Sequence, residues 1–318
     1  MLISEEMRNE TFLITGGTGT LGSAITRKLA KLGVHKVIVF SRNERAQVLM
    51  RRELEGFVNG GAIRYVLGDI TNRDQLWRSM GEVDNVIHCA ALKHVDMCEY
   101  NPDPTVDINV LGSKNLKDVA LDRGVKRLLS ISTDKAVNPT TLYGAAKLCS
   151  DKLMIAGNVY SKLGVPKISV IRFGNFWDSS GSVVEYFKSL KFAGIKDFPI
   201  TDKRMSRFFI PITGAVYFTL DRLGDMEGGE IFSPKMVTKT IVKVAYEIDS
   251  SAKLIEIGAR PGEKLHEDLI LSSDAHNTYD CGNHFTTYPP GWSHVQGEKV
   301  KEGFYYNSRA NRAWGGVC

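Results

Sequence analysis

"TFLITGGTGTLGSAITRKLAKLG", residues 11–33, decides how this chain folds. A β-branched, apolar run from Thr11 to Thr15 enters a glycine-rich turn. The turn opens onto a stretch with Leu21, Ala24, Ile25, Lys28, Leu29 and Leu32 on one helical stripe, and Gly33 stands where the helix should stop. Glycines at 16, 19 and 22 have a physical logic in such a strand–turn–helix. Gly16 permits the tight turn, Gly19 lets the backbone approach a pyrophosphate, and Gly22 lets helix and strand pack closely. The helix N-terminus then faces the phosphates. A glycine-rich turn with no ligand is the plainer reading, and the strands that follow argue against it.

Those strands are "KVIVF" (36–40), "IRYVLGD" (63–69), "VDNVIHCAA" (83–91), "RLLSIST" (127–133) and "KISVIRFGN" (167–175), alternating with helical stretches. Several are apolar nearly throughout, as strands buried on both faces must be. Right-handed βαβ crossovers and a parallel sheet follow. The expected fold class is α/β: a Rossmann-type doubly wound parallel sheet over residues 1–175, interleaved with a smaller mixed α/β substrate-binding region over 176–318. In that second region "GGEIFSP" and "KLIEIG" read as strands and "KTIVKVAYEI" as a helix, whereas the tail from "TYPPGW" is turn-rich and gives no assignment.

Composition narrows the function. A chain of 318 residues, 43% hydrophobic and 24% charged, is long enough for a sizeable core. Lys and Arg (41) exceed Asp and Glu (36) by 5, scattered along the chain, so nucleic-acid binding is not expected. Cys89, Cys98, Cys149, Cys281 and Cys318 lack metal-ligand spacing and suit reduced thiols. No metal site is expected. The acidic start "MLISEEMRNE" is unlike a signal peptide, and no apolar run reaches the roughly 18 residues of a membrane span. A cytoplasmic protein with no membrane partner is the expectation.

The end of the second strand selects the cofactor, because an acid there grips the ribose hydroxyl of NAD and a base the extra phosphate of NADP. "VIVFSRNE" offers Ser41 and Arg42, which favours NADP over a merely solvated arginine. Asp69 closes the third strand, either to reach the adenine amino group or to cap a helix. Thr18, Leu21, Ile70, Ala90 and Ala91 complete the expected cofactor wall.

"STDKAVNPTTLYGAAK" (132–147) carries the chemistry. Tyr143 and Lys147, four residues apart, lie on one helix face, and a neighbouring ammonium favours the phenolate that takes a proton from a substrate hydroxyl. Thr133 can bond the same hydroxyl. Asp134 and Lys135 form a second acid and base, or else a surface ion pair of little worth.

The glycine motif, "IHCAALKHV" and Tyr-x-x-x-Lys resemble the extended short-chain dehydrogenase/reductases. More narrowly, "STDKAVNPTTLYGAAK", "AALKHVDMCEYNP", "RFGN", "PITDKRMSRFFI", "GGEIFSPK" and "RPGEKLHE" are similar to soluble UDP-N-acetylglucosamine 4,6-dehydratases that invert carbon 5, with a weaker echo at "YYNS" (305–308). The resemblance implies that Tyr143 and NADP oxidise carbon 4, Lys135 removes the carbon 5 proton and Asp134 protonates the departing carbon 6 hydroxyl. Desolvation and mutual coupling are then expected to bring the pKa values of Asp134 and Lys135 toward neutrality. It further implies that Lys93 contacts cofactor or sugar, that Asn175 meets the diphosphate, that Thr201, Met205 and Arg207 belong to the uridine and phosphate pocket, and that Arg260 with Glu263 clamps phosphate and ribose. Asn175 also suits a turn, Lys93 a solvated surface, and His94 a structural role. "NFWDSSGS" after Asn175 and the tail from 272 depart from the family pattern. The partner is a UDP-sugar, and the family commonly assembles as homo-oligomers, dimers or hexamers. Against this stand a retaining dehydratase, a 4-epimerase using only Tyr143 and Lys147, and a non-catalytic NADP-sensing scaffold.

Overall fold

The computed structural model describes residues 3–55, 63–292 and 295–309. Six strands build the first half: β1 (Thr11–Thr15), β2 (Lys36–Ser41), β3 (Ile63–Leu67), β4 (Asn85–His88), β5 (Arg127–Thr133) and β6 (Lys167–Phe173). All pair in parallel, in the order β3-β2-β1-β4-β5-β6. The order reverses at β1, and the carboxyl ends of β1 and β4 there open the crevice in which such sheets bind ligands. Helices Thr20–Lys31, Glu44–Leu54, Arg73–Ser79, Ser113–Arg123 and Leu142–Ala156 make the crossovers.

Alternation along β1 shows why both faces must be covered. Phe12 and Ile14 enter a core shared with Leu21, Ile25 and Leu29 of the first helix, while Leu13 enters the opposite core with Phe40, Leu116, Leu128 and Met154. Each fully buried side chain of this kind contributes about 1.5–3 kcal/mol. The edge strand β3, "IRYVL", is only partly buried, which matches its polar alternation.

The second half adds β7 (Asn175–Trp177), β8 (Asp197–Ile200), β9 (Ser206–Pro211), β10 (Ile231–Pro234), β11 (Val237–Thr240) and β12 (Lys253–Glu256). It closes with β13 (Asp268–Ile270), β14 (Thr278–Asp280), β15 (His284–Thr287), β16 (Glu298–Lys299) and β17 (Tyr306–Asn307). β10 joins β6 in parallel, and β15, β14 and β16 extend the same sheet antiparallel. The stretch from 278 to 299, of which the part from Thr287 has no assignment from sequence, therefore continues the main sheet. Its strands are two to four residues long and carry their side-chain pattern too briefly to be read. β7, β9 and β11 form a three-stranded sheet, and β8 pairs with β12. A third core of Phe187, Phe198, Met205, Phe209, Val244 and Ile248 supports them.

No helix among the described residues is long and apolar enough to cross a membrane. Nor do the described residues contain a cluster of three or more His, Cys, Asp or Glu suited to a metal. Cys89, Cys98, Cys149 and Cys281 are free thiols, and Cys318 lies outside the described residues.

Candidate active site

The glycine turn has the expected form. Gly16 adopts φ +64° and donates its N–H to Phe40 O at 2.9 Å, and a Cβ there would come within 2.7 Å of Ala90 N. At Gly22 a Cβ would stand 2.4 Å from Gly16 O. Helix Thr20–Lys31 begins at Gly19 without a side-chain cap, so its first N–H groups face the cleft uncovered. A dinucleotide diphosphate fits this end, which offers backbone donors, the positive helix terminus and no Cβ in the way.

One cleft of about 1330 Å³ runs from this turn across the carboxyl ends of the strands. Thr18, Gly19, Leu21, Ser41, Arg42, Asp69, Ile70, Ala90, Ala91 and Lys93 line its cofactor side. At the rim Arg42 Nη1 lies 3.3 Å from Asp69 Oδ2, an exposed pair across the ends of β2 and β3. Asp69 does not cap the following helix. Asn72 does, accepting from Gln75 N–H, while Asp69 Oδ1 turns back to the Thr71 N–H and hydroxyl at 2.9 and 2.8 Å.

Tyr143 and Lys147 project from helix Leu142–Ala156, whose N-cap Thr141 accepts from the Gly144 N–H at 3.2 Å. Both side chains are buried. Lys147 Nζ donates to Ile131 O at 2.8 Å, and burial lowers its pKa. Burial pushes the Tyr143 phenol up to about 12, against the opposing charge of Lys135 and a hydrogen bond with Thr133. The lowering expected from Lys147 comes instead from Lys135, while the Lys147 ammonium is directed at the backbone of β5.

Asp134 and Lys135 form a short 3-10 turn directly after β5. Asp134 is wholly buried behind Lys135 and does not line the cleft, whereas Lys135 does. Asp134 Oδ1 accepts from Thr133 Oγ1 and Lys135 Nζ, both at 3.0 Å, and its Oδ2 meets no donor. A surface ion pair this is not. Burial raises the Asp134 carboxyl, as expected, with Lys135 opposing and Glu267 reinforcing. Lys135 departs from expectation. Burial lowers it, but Asp134 and Glu267 together outweigh that and hold its pKa above the usual lysine value.

Glu267, absent from the sequence-based site, is the second of these charges, after Asp134. It stands just before β13, buried, 3.5 Å from Lys135 Nζ, 3.2 Å from Lys264 Nζ and 3.9 Å from Arg207 Nε. Against burial, Lys135, Arg207 and Lys264 bring its carboxyl down to about 2. The "YYNS" segment fixes it, since Ser308 Oγ accepts the Glu267 N–H at 3.0 Å. A carboxylate within the "RPGEKLHE" stretch, next to a short apolar run, was the available signal.

On the substrate side Asn175, Thr201, Arg207, Arg260 and Glu263 line the cleft. Asn175 opens β7 and pairs with Phe209, so it sits in a strand and not in a turn. Arg207 Nη2 lies 3.3 Å from Glu263 Oε1, and Glu263 Oε2 accepts the Arg260 N–H at 3.3 Å. Met205 is the exception. It is wholly buried in the third core, beneath Thr201 and Arg207, because the chain turns it away from the cleft on entering β9. Lys93 is not simply solvated: its Nζ donates to Ser180 O at 2.6 Å across the cleft, and the His94 ring lies against Gly181.

Residues 12–289 match the model of the polysaccharide biosynthesis protein family. The chain belongs to this family. A relative in Campylobacter jejuni named UDP-N-acetylglucosamine 4,6-dehydratase (inverting) is 40% identical, over 96% of this chain and 94% of its own. Another in Rickettsia prowazekii, named UDP-glucose 4-epimerase, is 34% identical over 87% and 82%. A solved structure, described as Pen from Bacillus thuringiensis, superposes with a TM-score of 0.89 at 32% identity, covering 96% and 94%. This member of the family thus shares a Rossmann-type fold with proteins named for chemistry on nucleotide sugars.

Proposed function

We propose that this protein is an NADP-dependent UDP-N-acetylglucosamine 4,6-dehydratase that inverts carbon 5. The carrying observation is that Lys135, backed by the buried Asp134, faces the same cleft as Tyr143 and Lys147. A 4-epimerase needs only the latter two, so a second buried acid and base has no task in it. The name of the Campylobacter relative supports the same reading.

Gly16, Gly19, Gly22, Arg42 and Lys147 hold the cofactor in this reading. Bound there, NADP supplies the capacity to take a hydride from carbon 4 and return it at carbon 6. Tyr143, once ionised to the phenolate that the facing charge of Lys135 and the Thr133 hydroxyl favour, accepts the carbon 4 hydroxyl proton, with Thr133 bonding the same oxygen. The carbon 5 hydrogen is then acidic. One proton passing from Lys135 Nζ to Asp134 Oδ1 across 3.0 Å turns the ion pair into an amine and a carboxylic acid. Lys135 takes the carbon 5 proton, the Asp134 proton reaches the leaving carbon 6 hydroxyl through the Thr133 hydroxyl, which lies 3.0 Å from Asp134 and lines the cleft, water departs, and a proton returned to the opposite face of carbon 5 completes the inverted product. Arg207 and Arg260 suit the diphosphate as planar donors.

The test is NMR of UDP-N-acetylglucosamine incubated with the protein in deuterium oxide. A 6-deoxy-4-keto product of inverted configuration, deuterated at carbon 5, is expected. A product epimerised at carbon 4 with its carbon 6 hydroxyl intact would establish the epimerase instead.

A further inference from the structure

Asp134 stands nearer to Lys135 than Glu267 does, 3.0 against 3.5 Å, yet it is the poorer lasting counter-ion. Its one engaged oxygen is shared with Thr133 and its other meets no donor, so an ionised Asp134 keeps half its charge unanswered in a dry site. Glu267 is equally enclosed and its Oε2 likewise meets no hydrogen-bond donor, but three cations, Lys135, Lys264 and Arg207, stand within 4 Å of its carboxylate where Asp134 has one. Lys264 is itself fixed, donating to Val137 O at 2.8 Å, and Arg207 is tied to the carbonyls of Ser206 and Leu265. The Glu267 backbone is held by Ser308. Five residues of the second half thus combine to set one carboxylate beside a lysine of the first.

We infer that Glu267 is a positioning residue for the elimination: its carboxylate is the counter-ion for the ammonium that Lys135 becomes on taking the carbon 5 proton. This rests on the dehydratase reading and goes beyond it. As the C5–H bond breaks, an N–H bond forms on Lys135 and positive charge grows 3.5 Å from Glu267. The electron pair released forms the C5–C6 double bond, the C6–O bond breaks, and the Asp134 proton leaves with the oxygen as water. Asp134 therefore gives up its proton without being the sole support of the new ammonium. The charged or titratable groups facing Lys135 are Asp134, Glu267, Arg207 and Tyr143, and of these Glu267 and Asp134 favour its charged form.

The sign of the test follows. Glu267 raises both Asp134 and Lys135, so removing its charge lets the doubly protonated pair lose its first proton at lower pH, and the singly protonated pair that forms amine and acid becomes available there, while the charge growing on Lys135 loses support. In Glu267→Gln, the rate of carbon 5 proton removal, read as solvent deuterium uptake, should keep a rising acid-side limb but reach it at least about one pH unit lower, with a reduced plateau. Carbon 4 oxidation, read as reduced-nicotinamide absorbance in a single turnover, should keep its rate. Glu267→Asp, which restores the charge, should return the limb toward the wild-type position; it also serves if Glu267→Gln fails to fold, by a smaller shift of the same sign. A plateau that falls while the limb stays put in both variants would mark Glu267 as merely structural and overturn the inference. A wild-type protein that makes no 6-deoxy-4-keto product would overturn the dehydratase reading and this inference together, whereas a working wild type with an unmoved limb overturns the inference alone.

Discussion

The Lys147 ammonium donates to the backbone carbonyl of Ile131 across 2.8 Å. That bond ties helix Leu142–Ala156 to β5 one turn below Tyr143, so the phenol and the Asp134–Lys135 turn that follows β5 are held in one frame. The two halves of the chemistry are then positioned together, and substitutions should separate them cleanly.

Tyr143→Phe removes the hydroxyl and almost no volume from a buried position. Turnover should fall about 100- to 10,000-fold while NADP and UDP-sugar still bind by calorimetry. Residual turnover close to wild type would remove Tyr143 from the first proton transfer.

Lys135→Met and Asp134→Asn leave Tyr143 and Lys147 in place. Both variants should still oxidise carbon 4, seen as reduced-nicotinamide absorbance in a single turnover, and lose the 6-deoxy-4-keto product by about 100- to 10,000-fold. Product at wild-type rates from both would reduce Asp134 and Lys135 to a structural pair with no part in the elimination.

Arg42 shares its charge with Asp69 at the rim, on the exposed side of the cleft. Replacing it with alanine should weaken NADP binding about 10- to 100-fold, the worth of one charge-assisted phosphate contact, and leave NAD binding nearly unchanged. Equal losses for both, measured side by side by calorimetry, would place the 2′-phosphate elsewhere.

His88, at the end of β4, is buried between the Thr15 and Ser113 hydroxyls at 2.7 and 3.0 Å, and burial lowers its pKa to about 3. The unfolded chain binds this proton below about 6.5 and the folded chain only near 3. Stability from this group is full above 6.5 and drains away as pH falls toward 3, on the order of a few kcal/mol. His88→Gln should flatten the fall of the urea midpoint between pH 6.5 and 4. His284, lowered to about 4, adds a smaller slope of the same sign that remains.

The parallel half was legible because strands covered on both faces are apolar at every position, and because Gly16 and Gly22 permit contacts that a side chain would block. The Tyr143 and Lys147 pair was legible only from its spacing together with the nucleotide-binding pattern ahead of it and the strand ending in Thr133. Glu267 was not, since two of its three cations, Lys135 and Arg207, come from distant segments that only the folded chain brings to it. Met205 was placed in the pocket by the resemblance of "PITDKRMSRF", and its burial follows from the turn into β9, which no local pattern records. The short strands β14 to β16 take their places from pairing partners and carry little signal of their own.

The pairing of β10 with β6, Ile231 beside Val170 and Phe232 beside Ile171, bears on how the protein is made. During synthesis, the nascent chain emerges with β6 exposed and must wait for the segment after residue 230 before that apolar edge is closed. Until then it is a template for other chains. A fragment cut at residue 175 should therefore aggregate where the whole chain stays dispersed, and the nucleotide-binding half is not a detachable module.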